Sequence, residues 1–171
     1  MALTRLKFSK AGCFGLMAAM LAGSALAAPS AIGRYNDWTV YEDTTGGTRI
    51  CFAATEATDK APKSASHGDV WFYVTNWANG AARGQPSLKV GYELRPDLPA
   101  KARVGRSVWP MFNNQNEAFA EDEDDPRIVR ALKRGSELRV EAVSARNTAV
   151  AYHFSLKGSS KAIDRAAAAC R

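Results

Sequence analysis

The sequence predicts a mainly β protein: an antiparallel, β-sandwich-like single domain with one internal helix and a C-terminal helix. Residues 137–156 provide the first observation. Two runs of alternating apolar and polar residues flank the polar link 144–147, which is typical of a β-hairpin. Helical patterns before and after this hairpin provide the second observation and indicate that the hairpin lies well inside a sheet. The length allows one sizeable core.

Residues 1–27 have the features of a secretory signal peptide. Three basic residues precede the apolar stretch 11–21, and Ala25-Leu26-Ala27 supplies the small residues of a cleavage site. The apolar stretch is too short to span a membrane comfortably. We therefore expect cleavage after Ala27 and a mature domain of residues 28–171 without a transmembrane segment. This exported protein would stay in the periplasm, reach the cell surface or be secreted.

Removal of the signal peptide changes the charge and the cysteine count. Three of the 23 basic residues are lost, so 20 remain against 17 acidic residues, a net charge of +3. This mild surplus gives no reason to expect a nucleic-acid partner. Cys51 and Cys170 are the cysteines that remain. Two cysteines in an exported chain are most simply explained by one disulfide, and two buried free thiols are the alternative.

Strands are predicted where apolar residues alternate with polar ones or run continuously. They are residues 38–41, 49–54, 69–77, 88–94, one or two short strands within 103–112 that Pro110 interrupts, 117–120, and the hairpin 137–156. Polar loops are predicted at residues 43–47, 55–68, 79–86 and 113–116. Because residues 69–77 are apolar or aromatic on both faces, they predict a central strand that is covered on both sides.

Two helices complete the predicted domain. Residues 127–134 follow an acidic run and Pro126, contain basic residues in the last turn and stop at Gly135, all of which suit a helix and its dipole. The second helix starts at residues 158–160. Its spacing places Ile163, Ala166, Ala167 and Cys170 on one face, which turns Cys170 inward towards Cys51. In the hairpin loop, Asn147 is suited to the left-handed conformation.

Short segments in a fixed order cover nearly the whole predicted mature chain. They are 37–40 (DWTV), 51–53 (CFA), 68–75 (GDVWFYVT), 127–135 (RIVRALKRG), 144–148 (SARNT), 154–158 (FSLKG), 162–164 (AID) and 169–171 (ACR). Together they resemble the invasion-associated locus B family of exported bacterial proteins. Asn147 departs from the glycine that is usual in this family, and Ser159 departs from a common aromatic residue. The resemblance implies a β-sandwich-like periplasmic, surface or secreted protein, in some relatives linked to host-cell entry. It transfers no catalytic residues.

The residues suited to catalysis form no recognisable motif. His67 lies in a Ser/Gly loop and is expected in solvent, and His153 is expected on the polar face of the hairpin beside Ser155. The sequence has no Gly-x-Ser-x-Gly motif and no paired-cysteine metal spacing. The acidic run 121–125 could offer carboxylates to Ca²⁺, but it lacks the glycine of known loops, and helix capping accounts for Asp124 or Asp125. We expect no catalytic residues, no cofactor and no metal.

Two surfaces are candidates for binding. Arg127, Arg130, Lys133 and Arg134 make one side of the internal helix basic, and this side could contact anionic head groups or an acidic partner. The alternative is a solvated face that the preceding acidic run neutralises. Trp71, Tyr73 and Trp109 are expected mostly in the core, whereas Trp77, beside Asn76 and Asn79, is the candidate for stacking on a sugar or a partner surface.

The sequence therefore predicts a non-catalytic exported protein that binds another protein or an envelope component. An enzyme with an unrecognised site, such as a hydrolase of envelope polymers, is one alternative. A purely structural envelope protein is the other.

Overall fold

The computed structural model describes residues 28–171, so the predicted signal peptide and its cleavage site lie outside the described residues. The strands are β1 (Ser30–Tyr35), β2 (Trp38–Thr45), β3 (Thr48–Glu56), β4 (Asp59–Ala61), β5 (Trp71–Trp77), β6 (Arg83–Lys89), β7 (Ala100–Val104), β8 (Ser107–Asn114), β9 (Glu117–Ala120), β10 (Glu137–Val143) and β11 (Ala149–Ser155). The helices are α1 (Asp125–Arg134), between β9 and β10, and α2 (Ser159–Ala169), after β11. The mainly β class and both predicted helices are confirmed.

All eleven strands belong to one antiparallel sheet in the order β1-β2-β3-β5-β6-β9-β8-β7-β10-β11-β4. The sheet bends back on itself and brings β2 next to β11. The contact that shows this is a hydrogen bond from the indole Nε1 of Trp38 in β2 to the carbonyl oxygen of Ser155 in β11 at 2.9 Å. The amide of Asp37 donates to the carbonyl of Lys157 at 3.3 Å. This curvature gives the sheet an inner face that encloses the core and an outer face towards solvent.

The predicted hairpin forms a large part of the core. Its strands pair without a break from Glu137 opposite Ser155 to Val143 opposite Ala149. The side chains that it buries are Leu138, Val140, Ala142, Val150, Tyr152 and Phe154. Helix α2 packs against β1, β2 and β3, while α1 packs against β6 and α2. Each fully buried large apolar side chain contributes roughly 1.5–3 kcal/mol to folding, so the hairpin is central to stability.

Two backbone positions have left-handed conformations that the chain path requires. Asn147 has φ 63° in the hairpin loop, which confirms the sequence prediction. Gly158 has φ 95° where the chain enters α2, and a Cβ at this position would lie 1.9 Å from the carbonyl oxygen of Tyr35. Only glycine allows the chain to cross the end of β1 at this distance.

The structure corrects several predicted boundaries. The predicted loop 55–68 contains the edge strand β4, which pairs with β11, and the predicted loop 79–86 contains the start of β6. Strand β1 was absent from the prediction. Residues 90–94, predicted as strand, are irregular, although Val90 and Leu94 are buried. Val90 and Leu94 face the core as the predicted strand pattern requires. Their amides donate to the carbonyls of Asn116 and Gln115, which holds both side chains in the core.

Two further strand predictions are wrong in detail. Pro110 does not interrupt β8, because β9 ends opposite Met111 and Pro110 therefore has no strand neighbour on that side. Strand β5 is not covered on both sides. It buries Phe72, Val74 and Asn76 on the inner face, and its other side chains are only half-buried on the outer face.

Candidate functional site

The predicted disulfide between Cys51 and Cys170 is present. The two sulfur atoms are 2.16 Å apart, the Cα atoms are 5.7 Å apart, and the bond joins residues separated by 119 positions. Cys51 lies in β3 and Cys170 at the end of α2. The bond therefore fastens α2 to the inner face of the sheet, and both cysteines have a structural role.

The predicted basic side of α1 is present but partly neutralised. Ile128 and Leu132 point into the core. On the opposite side, Arg127 pairs with Asp124 at 3.1 Å, and Lys133 pairs with Asp164 of α2 at 2.7 Å. Within residues 28–171, Arg130 and Arg134 have no intramolecular ion pair. Half of the candidate basic surface is thus committed to contacts within the chain.

The start of α1 differs from the expected cap. Asp124 is the N-cap residue, but its side chain makes no capping hydrogen bond and pairs with Arg127 instead. Asp125 is 7% exposed, and its Oδ1 has no hydrogen-bond partner in the described part of the chain. Burial, followed by the neighbouring carboxylates of Asp122 and Asp124, raises the pKa of Asp125 to about 7. Residues 28–171 contain no group of three or more side chains suited to holding a metal ion.

Trp77 lies on the outer face of the sheet, where it forms part of a larger aromatic surface. We call this surface the outer aromatic face, and it consists of Tyr41, Phe52, Trp71, Tyr73, Trp77, Phe112 and Phe119. Trp71 and Tyr73 were expected mostly in the core, so that prediction is wrong. Their strand has a single inner face, which Phe72 and Val74 occupy. Trp109 is partly buried and packs against the core, as expected.

The outer aromatic face spans six strands as two aromatic clusters, which β6 separates because it contributes no aromatic residue. Tyr41 stacks on Phe52 with ring centroids 5.3 Å apart, and the ring of Tyr73 meets Phe52 edge-on at 5.7 Å. Ser87 of β6 lies opposite both Tyr73 and Phe119 in the strand register. Phe119 stacks on Phe112 at 5.6 Å. Burial, and then the carboxylate of Glu117, raises the pKa of Tyr73 to about 12, so its phenol stays neutral and can donate a hydrogen bond.

The two predicted binding surfaces do not come together. A Cβ on Gly84 of β6 would contact Val129, which shows that α1 covers the sheet near this inner position. Trp77 lies opposite Ile50 on the outer face. The basic side of α1 and the outer aromatic face are therefore separate surfaces. The sequence could not show this separation, because it depends on which face of β6 the helix covers.

His67 is buried, which contradicts the prediction of a solvated loop residue. It is 8% exposed. Its Nδ1 lies 3.0 Å from the hydroxyl of Tyr152, and its Nε2 lies 2.9 Å from the carbonyl oxygen of Pro62. The Tyr152 hydroxyl also forms a hydrogen bond with the hydroxyl of Tyr92. Burial raises the pKa of Tyr92, and burial together with the Tyr92 hydrogen bond raises that of Tyr152.

One sequence signal could have indicated this burial. Tyr152 occupies a core-facing position of the predicted hairpin, and a buried tyrosine hydroxyl requires a hydrogen-bond partner. The network borders a cavity of about 670 Å³ whose polar lining includes Ser66, His67, Tyr92, Glu93, Ser144 and Arg146. A separate groove of about 770 Å³, lined by apolar residues such as Leu98, Pro99 and Pro110, lies beside β10 and β11.

His153 occupies the polar side of the hairpin, as predicted, and pairs with Glu137 at 3.0 Å. Ser155 lies on the same face of β11, but its hydroxyl donates to the carboxylate of Asp37 at 2.6 Å and not to the histidine. Within residues 28–171, neither histidine forms a hydrogen bond with a serine or cysteine side chain. In the same range, neither helix combines the length and the apolar character that a membrane-spanning helix needs.

Comparison with known protein families identifies one match. The family model described as Invasion associated locus B (IalB) protein matches residues 38–167, from the first residue of β2 into α2. No curated protein matches the chain, and no solved structure matches it. Because the match covers most of the chain and nearly all of the sheet, this protein belongs to the invasion associated locus B (IalB) family.

Proposed function

We propose that this protein is an exported, non-catalytic binding protein that holds a protein or envelope partner on its outer aromatic face. The observation that carries the proposal is that face itself: seven aromatic side chains on the solvent side of five strands, β2, β3, β5, β8 and β9, with β6 between β5 and β9. Family membership supports an exported protein associated with invasion loci. Host-cell association is therefore the biological setting in which we place the proposed binding.

The exposure of these side chains supports a binding role. Phe112 is 45% exposed, and Trp77 is half-buried. The two helices have their apolar sides in the core, through residues such as Leu132 and Ile163, so neither covers the outer face within residues 28–171. Rigid aromatic rings lose little conformational entropy on binding and are enriched among the residues that dominate binding energy. A partly exposed group of aromatic side chains on one face of a sheet is typical of an interaction surface.

The polar groups on the same face indicate how a partner would be oriented. Thr75 and Gln85 are half-buried among the aromatic side chains on the outer face of β5 and β6, whereas Ser87 between them and Phe119 is buried. Lys89 and Glu117 form an ion pair at 2.9 Å beside Trp71. Hydroxyl and amide groups between stacked rings suit hydrogen bonds to a partner that also offers a flat apolar surface.

The proposal that the protein is non-catalytic is supported by the cysteine and histidine side chains, each of which already makes a structural contact within the chain. Both cysteines form the disulfide, His67 is held by Tyr152 and Pro62, and His153 pairs with Glu137. Export is supported by the disulfide, which persists in oxidising compartments, and by the signal-like residues 1–27 of the sequence.

Site-specific photo-crosslinking in the native cell tests the proposed surface. A photoreactive amino acid is placed at position 77 or 112 on the outer aromatic face, at position 130 on α1, or at position 161 on the exposed side of α2. We expect positions 77 and 112 to yield the same discrete crosslinked partner and position 161 to yield none. Crosslinks at position 130 alone would instead assign binding to the basic side of α1 and overturn the proposal.

A pair of matched variants then measures the contribution of the aromatic ring. Phe112→Ser removes a ring from the face, whereas Val108→Ser changes a residue in the same strand that is 41% exposed. We expect at least a tenfold loss of partner capture for Phe112→Ser, about 1.4 kcal/mol or more of binding free energy, and little change for Val108→Ser. Equal capture by both variants, with unchanged circular dichroism, would contradict the proposal.

A further inference from the structure

The cavity beside His67 is separate from the outer aromatic face and has its own chemistry. It lies between the 65–67 loop, residues 91–93 and the hairpin loop around residues 144–148. Its volume of about 670 Å³ suits a small molecule. His67 and Tyr92 line it and belong to the Tyr92–Tyr152–His67 hydrogen-bond network, and its lining includes one anionic side chain, Glu93, and one cationic side chain, Arg146.

The direction of the hydrogen bonds in this network follows from one fixed acceptor. The carbonyl oxygen of Pro62 can only accept, so the Nε2 of His67 carries a proton and donates. In the neutral imidazole, Nδ1 is then an acceptor, and the hydroxyl of Tyr152 must donate to it. Tyr92 must in turn donate its single proton to the oxygen of Tyr152. The hydroxyl oxygen of Tyr92 therefore offers only lone pairs to the cavity.

We propose that this cavity binds a small zwitterion, namely a free amino acid. The ligand's ammonium group would donate to the Tyr92 oxygen and lie near Glu93, and its carboxylate would lie near Arg146. Three features carry the assignment: an acceptor-only hydroxyl, a carboxylate and a guanidinium line a single cavity of small-molecule size. The proposed function does not depend on this site.

The same network makes binding sensitive to protonation of His67. In the imidazolium both nitrogens donate, so Nδ1–H donates to Tyr152, and Tyr152 must turn its own proton towards Tyr92. The proton of Tyr92 then points into the cavity, and its O–H dipole opposes an ammonium group. Acidic conditions would therefore weaken binding.

The charged and titratable groups around His67 come from four parts of the chain. They are Tyr152 on β11, Tyr92 and Glu93 on the 91–93 segment, Arg146 on the hairpin loop, and Lys60 on β4. Lys60 donates to the carbonyl of Gly68 at 2.8 Å and pairs with Glu56 at 3.6 Å.

Nuclear magnetic resonance titration of the 28–171 chain with L-alanine tests the site. We expect saturable shifts of the backbone amides of Gly91 and residues 144–148 at pH 8, and at least tenfold weaker binding at pH 5. N-acetyl-L-alanine, which lacks the ammonium group, is the control probe and should cause no such shifts. Absence of shifts with L-alanine at pH 8, or equal shifts with both probes, would overturn the proposal.

Two variants and one spectroscopic measurement connect the pH dependence to His67. The chain has two histidines, so His153→Gln should keep the pH dependence, and its loss would contradict the proposal. Tyr92→Phe should reduce binding at pH 8 at least tenfold. If that variant fails to fold, the ¹⁵N shifts of the wild-type imidazole still decide: protonated Nε2 with unprotonated Nδ1 at pH 8 is expected, and the reverse tautomer would refute the network.

Discussion

At the scale of single residues, backbone conformation was easier to predict than burial. Asn147 was expected to be left-handed because the loop sequence alone favours that conformation, and its φ is 63°. The burial of His67 depends on Tyr152, which lies 85 residues away, and on Pro62. Its sequence neighbours Ser66 and Gly68 are exposed, so local composition indicated solvent. The polar network of the cavity was consequently missed, while the disulfide was found.

Substitutions at Asn147 test the loop conformation. Asn147→Gly should be neutral or mildly stabilising, because glycine adopts positive φ freely and the lost bond from Arg95 is exposed. Asn147→Val should lower the free energy of unfolding by about 1 kcal/mol or more through left-handed strain. Thermal unfolding measures both variants. Equal melting temperatures would show that position 147 does not need a left-handed residue.

Asp125 should make stability depend on pH in a direction unusual for a carboxyl group. Its pKa is raised from an ordinary value of 3.8 to about 7, so between these pH values the folded chain holds a proton that the unfolded chain has lost. Stability from this group is therefore full below about pH 4 and decreases as the pH rises to about 7. Asp125→Asn should be more stable than wild type at pH 8, by on the order of 2 kcal/mol, and similar to it at pH 4.

Urea unfolding of both proteins at pH 4, 6 and 8 provides the measurement for Asp125. Asp122→Asn, at an exposed neighbour, is the matched control and should change the pH dependence much less. A constant difference between Asp125→Asn and wild type at all three pH values would mean that the carboxyl group is not protonated in the folded chain.

At the scale of elements, periodicity predicted the existence of strands and helices but not what covers them. The run at residues 69–77 indicated a central strand, and β5 does lie between β3 and β6. Its aromatic residues suggested cover on both sides, whereas the structure places them on the outer aromatic face. An aromatic side chain satisfies a strand pattern equally well in a core or on a binding surface. The sequence therefore identified Trp77 but not the surface to which it belongs.

Helix α1 provides a test of the basic surface that is independent of the outer aromatic face. Arg130→Glu with Arg134→Glu reverses two charges that have no intramolecular ion pair within residues 28–171. We expect weaker association with vesicles of anionic lipid, more so at low salt, because screening shortens the range of the attraction at high salt. The melting temperature should change by no more than a few degrees. Sedimentation with vesicles at two salt concentrations provides the measurement.

The control for α1 is the pair Lys161→Glu and Arg165→Glu, which reverses two exposed charges on α2. If both double variants lose vesicle association equally, net charge explains the effect and the basic side of α1 has no specific role. The α1 variant should still yield partner crosslinks at position 112, since α1 and the outer aromatic face are separate surfaces.

At the scale of the whole molecule, the sheet order was beyond the reach of local patterns. Strand β6 pairs with β9 and β7 pairs with β10, although neither pair is adjacent in the chain. The sequence indicated hairpins such as β10–β11 because short loops favour antiparallel neighbours. The closure that brings Trp38 next to Ser155 depends on the accumulated bend of the nine strands from β2 to β11 in the sheet order, for which no short segment carries a signal.

Removal of the disulfide should destabilise the whole domain. The bond closes a loop across 119 positions, and loss of this constraint on the unfolded chain costs on the order of 4–5 kcal/mol. Cys51→Ala with Cys170→Ala should lower the free energy of urea unfolding by several kcal/mol. Comparison with the wild-type protein under reducing conditions separates the effect of the bond from that of the two side chains. An unchanged unfolding midpoint would contradict a stabilising role.

The separation between Cys51 and Cys170 also has a consequence in time. During synthesis at about 5–20 residues per second, Cys51 is made roughly 6–24 s before Cys170, given the 119 positions between them. Every strand from β4 to β11 is made during this interval. The covalent ring can close only when all of those strands exist. A molecule that carries the bond is therefore one whose chain has been made through Cys170, and the disulfide is a chemical record that every strand from β4 to β11 has been synthesised.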